Sequence, residues 1–466
     1  MKQHASLTRT RAFFKALVAF PAVLSAVFMA ISFAALAQEK PLPADKASDA
    51  RIRFWQMQVA RDTEFWGSYN ELAAAYAQKA RETGDISYFQ LAEGSLEQSL
   101  KLESTHKEAA PAFAQLATVH LSEHKFREAG EDAEKAIKLL PTDLAAYPYA
   151  GDAQLEQGNY DAAQKFYDYV KPPEDGTQHP GIEFLAASHG AGLHWIKGDT
   201  AKAFEDLERA IVLGKEMHMP AENLAWTEFM LGEQSFQLGD FAKAEERETN
   251  SLRDFPKYHR ALAAMGQIRA AQGRFPEAID FYKQAIAIIP LPLYLTALGD
   301  VYTVSGDKAN AEKQYATVEF IGRLNEINQQ VYNRELALFY ADHDRKLPEA
   351  LKLARKEFEV RHDVYTSDAL AWALLKNGQV QSAKDEIERA MRMGTKDALM
   401  EYHAGRIYAA AGDKAKASEH LERALAINPH FHVLFAPQTQ KMVAPLKAQT
   451  QTTVGMDAGS EHANQN

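Results

Sequence analysis

Histidines, carboxylates and thioethers are the groups in this chain that could hold a metal or move a proton. His189 and His194 stand five residues apart, His430 and His432 flank Phe431, and Met217-His218-Met219 sets soft donors beside an imidazole. On a helix of 3.6 residues per turn, a five-residue step puts His189 and His194 on different faces. None of these groups has a second ligand at metal-site spacing. Asp and Glu recur along the whole chain rather than in pairs, the pattern of a solvated face and not of an acid–base couple. Cysteine chemistry is excluded, because the chain has no cysteine. It also lacks a glycine-rich phosphate loop, H-E-x-x-H and G-x-S-x-G. The expectation is no catalytic residue, no metal and no cofactor.

What must position any site is a repeated unit. Arg260 to Pro290 reads as two short helices joined at Gln272-Gly273-Arg274. Leu262, Met265 and Gly266 share a face of the first, with Ile268 and Arg269 one turn on. Phe275, Ala278, Ile279, Tyr282 and Ala285 form one stripe of the second. Gly266 and Ala278 are small where the two helices would cross, and Pro290 closes the unit by excluding its predecessor from the helical region. A hairpin this small cannot bury a core alone, so it must stack on copies of itself. The copies are marked by turn glycines at 158, 198, 239, 273, 306, 378 and 412, separated by 40, 41, 34, 33, 72 and 34 residues. The long gap equals two periods, with a turn at Arg345-Lys346-Leu347 that lacks glycine.

This pattern resembles the tetratricopeptide repeat. The small residue of the second helix falls on Ala129, Ala163, Ala203, Ala244, Ala278, Ala311, Ala350, Ala383 and Ala417. Closing prolines stand at Pro141, Pro256, Pro290 and Pro429. The Leu-Gly pair of the first helix is Leu231-Gly232 and Leu298-Gly299, with Met265-Gly266 and Ala404-Gly405 close to it. The resemblance implies an all-α fold, an α-solenoid in which helical hairpins wind into a right-handed superhelix. It also implies a partner groove on the concave face, lined by the first helix of each hairpin. Carried over by phase, the inward positions hold Trp195, Trp226, Phe229, Phe236, Tyr332, Phe339, Tyr365, Trp372, Tyr402 and Arg406. Aromatic rings dominate binding hot spots, so the expected partner is an extended or helical peptide. The alternative is that these rings pack between neighbouring helices. A clamp for a terminal carboxylate is not expected, since its positions hold Ala114, Thr118, Ala263 and Gln267, and Arg406 is alone.

Along the chain, residues 1–37 read as a Sec-type signal peptide, or an uncleaved inner-membrane anchor. The start is basic (Lys2, Arg9, Arg11, Lys15), Ala16 to Ala37 is apolar, and Ala35-Leu36-Ala37 precedes Gln38. Residues 38–60 read as a linker that turns helical near Arg51, with Trp55 and Met57 covering the first repeat. The array of about ten hairpins is expected over 61–430. Lys171 to Gly181 is a loop at which the array could divide, and Gly214 to Ala221 is a second long loop. Glu319 to Asn333 suggests an extended or inserted helix, 431–446 a capping helix, and 447–466 a disordered tail. Loss of 1–37 would take the net charge from −11 to −15. That charge argues against nucleic acid and against an anionic membrane surface, leaving the N-terminal segment as the one membrane element. The function expected is a protein-binding scaffold, periplasmic or secreted; the alternative is a structural subunit of a membrane-associated assembly.

Overall fold

In the computed structural model the described residues are 44–171, 179–327 and 333–444. A leading helix, α1 (Ala44–Arg61), precedes ten helical hairpins. The first three are α2 (Trp66–Thr83) with α3 (Ser87–Leu102), α4 (Ala110–Ser122) with α5 (Phe126–Leu139), and α6 (Ala146–Glu156) with α7 (Tyr160–Tyr169). Next come α8 (Pro180–Ile196) with α9 (Thr200–Glu216), α10 (Ala221–Gln237) with α11 (Phe241–Asp254), and α12 (His259–Ala271) with α13 (Phe275–Ile288). The last four are α14 (Pro292–Val304) with α15 (Lys308–Ile327), α16 (Asn333–Asp342) with α17 (Leu347–Phe358), α18 (Val364–Lys376) with α19 (Val380–Met391), and α20 (Ala398–Ala410) with α21 (Lys414–Ile427). A final helix, α22, occupies 435–444. No strand occurs among the described residues.

Local chemistry sets the hairpin turns. In the turn after α8, Gly198 adopts φ 74°, and the Asp199 side chain then accepts from the Lys202 N–H at 3.2 Å to cap α9. Asp240 and Asp413 cap α11 and α21 in the same way, at 3.0 and 3.1 Å. A helix ending in a left-handed glycine and restarting at an aspartate explains the recurring Gly-Asp pair. Within each hairpin the repeat alanines are shut in. Ala129, Ala163, Ala203, Ala244, Ala278, Ala350 and Ala383 expose nothing, and Ala311 and Ala417 almost nothing. Ala278→Phe should therefore overfill the α12–α13 crossing and cost on the order of 1–3 kcal/mol. An unfolding midpoint equal to wild type in urea would contradict this packing.

The small residues of the first helices have a second partner. A Cβ built on Gly266 would lie 3.0 Å from the Tyr282 ring, and one on Gly405 2.6 Å from Leu421. Gly151 with Tyr167 and Gly299 with Tyr315 make the same contact. In every case the partner lies sixteen residues later, so the hairpin closes by seating a large side chain over a missing Cβ.

The superhelix then winds tightly enough to touch itself. The turn at Gly158 lies beneath the loop after α17, where the His362 N–H donates to the Glu156 carbonyl at 3.1 Å and a Cβ on Gly158 would overlap the His362 carbonyl. The Arg392 guanidinium donates to the Gly158 carbonyl at 3.0 Å. One hairpin along, Gly198 sits beneath the Gly394 carbonyl, and the Thr395 hydroxyl donates to the Ile196 carbonyl at 2.5 Å. One further on, the Asn428 amide donates to the Phe236 carbonyl at 2.7 Å. The Val364 N–H donates to the Tyr160 hydroxyl at 2.9 Å. Hairpin turns of the first superhelical turn thus pack under inter-hairpin loops of the second.

Three readings from the sequence change, and a fourth is narrowed to one of its two alternatives. The leading helix begins at Ala44 instead of near Arg51, and Trp55 covers the first repeat together with Ile52 and Val59, whereas Met57 is 62% exposed. Gly214 lies inside α9, whose helix continues to Glu216, so the second long loop shrinks to four residues. The departure beginning at Glu319 is an extension of the second helix, since α15 runs for 20 residues; 328–332 lie outside the described residues. The capping helix starts at 435, with Phe431 and Phe435 both buried. Across the expected division, His189 on α8 bonds to Asp152 on α6 at 2.8 Å, so the hairpins on either side pack directly. The expected signal segment, 1–37, and the expected tail, 447–466, lie outside the described residues.

Candidate partner-binding channel

Stacking the first helices of successive hairpins builds the inner wall of the superhelix. Two cavities run along it. The larger, about 900 Å³, is walled by α2, α4, α6, α8 and α10, with Trp226, Met230, Tyr149 and Gln234 among its residues. The smaller, about 420 Å³, lies among α10, α12, α14, α16, the start of α20 and the loop at 428–433. Phe229, Phe236, Phe339 and Tyr294 supply its apolar wall. Exposed Arg260 lines both.

The ten residues expected in the groove divide. Trp226 and Phe229 are half-buried and face the cavities. Phe236 and Phe339 border the smaller cavity but are 4% and 1% exposed. Trp195, Trp372 and Tyr402 are core residues, at 5%, 1% and 0%. The cause is twofold. The second superhelical turn covers the concave face of the first, so the Trp195 indole N–H donates to the Tyr365 hydroxyl at 3.0 Å and both rings are occupied. At the far end α22 fills the groove, with Phe435 stacked on Tyr402 at 4.9 Å. Trp372 stacks on His403 at 4.3 Å and donates to Asp342 at 2.8 Å. Arg406 lies over the Trp372 and Tyr402 rings and donates to the Tyr402 hydroxyl at 2.6 Å. These five residues therefore act in packing. Tyr332 lies outside the described residues.

The smaller cavity is acidic. Glu233, Asp300, Glu335, Asp342 and Asp397 border it. Burial raises the pKa of Glu233 and Asp342, and lifts Asp397 to about 6 with help from nearby Asp368. Asp300 is held by the Tyr315 hydroxyl at 2.8 Å and by His343 at 2.7 Å. Three of the histidines considered for metal binding are engaged as well. His189 meets Asp152 at 2.8 Å, His194 meets Asp206 at 2.7 Å, and His432 stacks on Phe435 at 4.4 Å. One metal-like cluster escaped the sequence, because α3, α4 and the turn after it bring together residues far apart in the chain. The ligand atoms of Glu93, His120 and Glu123 lie within 4.8 Å of one another. The Lys125 ammonium already sits 3.2 Å from Glu93 and 2.8 Å from Glu123, and supplies the cation those carboxylates require.

The tetratricopeptide-repeat family model matches residues 106–177, 229–291 and 369–430. Over those residues the chain carries tetratricopeptide repeats, and the buried repeat alanines and consecutive hairpins continue the same pattern between them; such repeats indicate a protein–protein interaction scaffold. Over 128 residues it is 26% identical to the cellulose synthase operon protein C of Escherichia coli K12. That match covers 26% of this chain and 11% of the relative, so the chain corresponds to a small part of it. Among solved structures, yeast Tom70 is 13% identical with a TM-score of 0.32, covering 84% of this chain and 99% of its own. Pseudomonas aeruginosa pilF is 18% identical with a TM-score of 0.31, covering 56% and 93%.

Proposed function

We propose that the chain is a non-enzymatic scaffold of the bacterial periplasm or cell envelope that holds a partner polypeptide inside its superhelix. The observation that carries this reading is the channel of about 900 Å³ walled by the first helices of five successive hairpins. Its size is that of a ligand site, and Trp226 and Met230 offer it apolar contact. The test is cross-linking capture in cells, comparing wild type with a Trp226→Ala, Met230→Ala double variant of unchanged melting curve. A partner enriched by the wild type and lost with the variant is the expected result. Equal recovery by both would move the binding surface to the outer face.

Export is supported by the basic start and apolar run of residues 1–37. Among the described residues no helix is long and apolar enough to cross a membrane. A second reading, a membrane-held subunit, draws on the N-terminal end of the array, where Phe54, Met57 and Phe65 are 45%, 62% and 51% exposed. Intact mass separates the two: a mature chain beginning at Gln38 supports export, and an uncut chain supports the anchored form. The Escherichia coli relative is named for a cellulose synthase operon, so a hydroxyl-rich chain is the competing occupant of the channel.

A further inference from the structure

Two hairpins that seat a tyrosine over a glycine also bond its hydroxyl to the residue after that glycine. Tyr167 donates to Asp152 at 2.7 Å and Tyr315 to Asp300 at 2.8 Å. The hairpin of α12 and α13 breaks the pair, because Gln267 follows Gly266. The Tyr282 hydroxyl then has no hydrogen-bond partner among the described residues. Tyr282 is 4% exposed and lines the smaller cavity, and the charges of Asp300 and Glu233 bear on it. Native proteins leave few buried polar groups unpaired, so this hydroxyl calls for an explanation. The preceding hairpin lacks the opposite half: Glu233 follows Gly232, but the slot over that glycine holds Glu248 in place of a tyrosine.

The acids around this hydroxyl point to the occupant. Glu233 on α10 and Asp397 at the start of α20 belong to successive superhelical turns, yet the charge of Asp397 reaches Glu233. Glu233 accepts from the Gln237 amide at 3.4 Å and Asp397 from the Met400 N–H at 2.8 Å, and among the described residues no ion pair serves either. The other charged groups of the cavity are occupied elsewhere. Asp300 holds Tyr315 and His343, with His432 at 3.7 Å; Asp342 takes the Trp372 N–H at 2.8 Å; Glu335 lies 3.9 Å from Arg334. His430 is exposed and edges onto Phe241. Arg260 is exposed, and its charge acts on Tyr258, His259 and Tyr294. What stays open is an anionic seat beside a free hydroxyl. Phe229, Phe236 and Phe339 wall it, and ring faces attract a cation.

We propose that the smaller cavity binds a small primary alkylamine as its ammonium ion. The charge sits between Glu233 and Asp397, the Tyr282 hydroxyl oxygen accepts one N–H, and the hydrocarbon lies on the phenylalanine rings. An ammonium has three donors and no acceptor, which matches two carboxylates and a hydroxyl oxygen. A volume of about 420 Å³ is that of a small-molecule site. Its walls come from both superhelical turns, so the bound amine replaces repulsion between their acids with attraction and ties the turns together.

The probe is hexylamine, with hexanol as its uncharged match and a short end-blocked lysine peptide as the polypeptide source of the same group. Each is titrated into the full chain at neutral pH by calorimetry, with thermal melting recorded alongside. Hexylamine is expected to bind about tenfold tighter than hexanol, or more, and to raise the melting temperature with its concentration. Glu233→Gln keeps the shape of the side chain, and Asp397→Asn keeps the helix cap. Each should weaken hexylamine about tenfold, and Tyr282→Phe about fivefold. Tyr282→Phe removes a hydroxyl that bonds to nothing, so its melting temperature without amine should match wild type. If Asp397→Asn melts lower, Glu233→Gln and Tyr282→Phe decide. No binding of hexylamine, equal binding of hexanol, or unaltered binding by Glu233→Gln overturns the inference. Unaltered binding by Tyr282→Phe does so too, since the free hydroxyl is its starting point. A lysine peptide that binds through Glu233 where hexylamine does not would overturn the assignment to a free amine.

Discussion

Gly158→Ala and Gly198→Ala are each expected to cost about 2–5 kcal/mol, whereas Gly378→Ala and Gly412→Ala should cost about 1–2 kcal/mol. All four glycines have φ between 72° and 84°, where an alanine is strained. The strain is therefore common to the set and cannot separate its members. What differs is the surroundings. A methyl on Gly158 would meet the His362 carbonyl and one on Gly198 the Gly394 carbonyl, both backbone atoms that cannot rotate away. Around Gly378 and Gly412 nothing lies within 4 Å. Urea unfolding of the four variants checks the contrast. Equal losses at all four would mean that successive superhelical turns do not touch in solution.

The second large effect runs the other way: Glu248→Leu should stabilise the protein by about 1–3 kcal/mol at neutral pH. Glu248 occupies the place held by Tyr167, Tyr282, Tyr315 and Leu421 in other hairpins, sixteen residues after a first-helix glycine, here Gly232. It is wholly buried, and neither carboxyl oxygen has a hydrogen-bond partner. The nearby cations serve another acid, since Lys215 lies 2.9 Å and Arg247 3.3 Å from Glu228. Burial, aided by the charges of Glu233 and Glu228, holds the Glu248 pKa well above its ordinary 4.5. The unfolded chain therefore releases this proton first as pH rises, and its contribution to stability declines from about pH 4.5 upward until the folded pKa is passed. Leu421 over Gly405 shows that leucine fits this slot. Melting curves at pH 5 and pH 8 should show the gain from Glu248→Leu growing with pH. A variant less stable than wild type at pH 8 would refute the account.

How much could be read from the chain follows from how far each interaction reaches. The alanines of the second helices, the Gly-Asp turns and the hairpin period depend on residues within one unit, and all were legible. Whether Trp372 or Tyr402 faces a groove or a neighbour depends on how small rotations add up over many hairpins, and on where α22 comes to rest. No local pattern encodes that sum. Trp226 and Phe229 kept an open side, and nothing in their spacing distinguished them from Trp195. The buried, unpaired carboxamide oxygens of Gln115, Asn223 and Gln234 were invisible for a similar reason, since Gln and Asn on a helix read as ordinary surface until their surroundings are known. Lys125 among Glu93, His120 and Glu123 likewise joins residues from separate elements.

An open repeat array folds from neighbour to neighbour, and every contact it needs is close in sequence. This one also carries hydrogen bonds between residues 192 to 234 positions apart. Joining such distant points has a chain-closure cost that neighbouring hairpins do not meet, so these bonds must form after the units they link. The expected kinetics are a fast phase, in which hairpins assemble along the chain, followed by a slower closing phase. Asn428→Ala, which removes the bond to the Phe236 carbonyl, should leave the fast phase unaltered and accelerate unfolding. The coil would then behave less like a row of independent units and more like a ring whose last joint decides how long it stays shut.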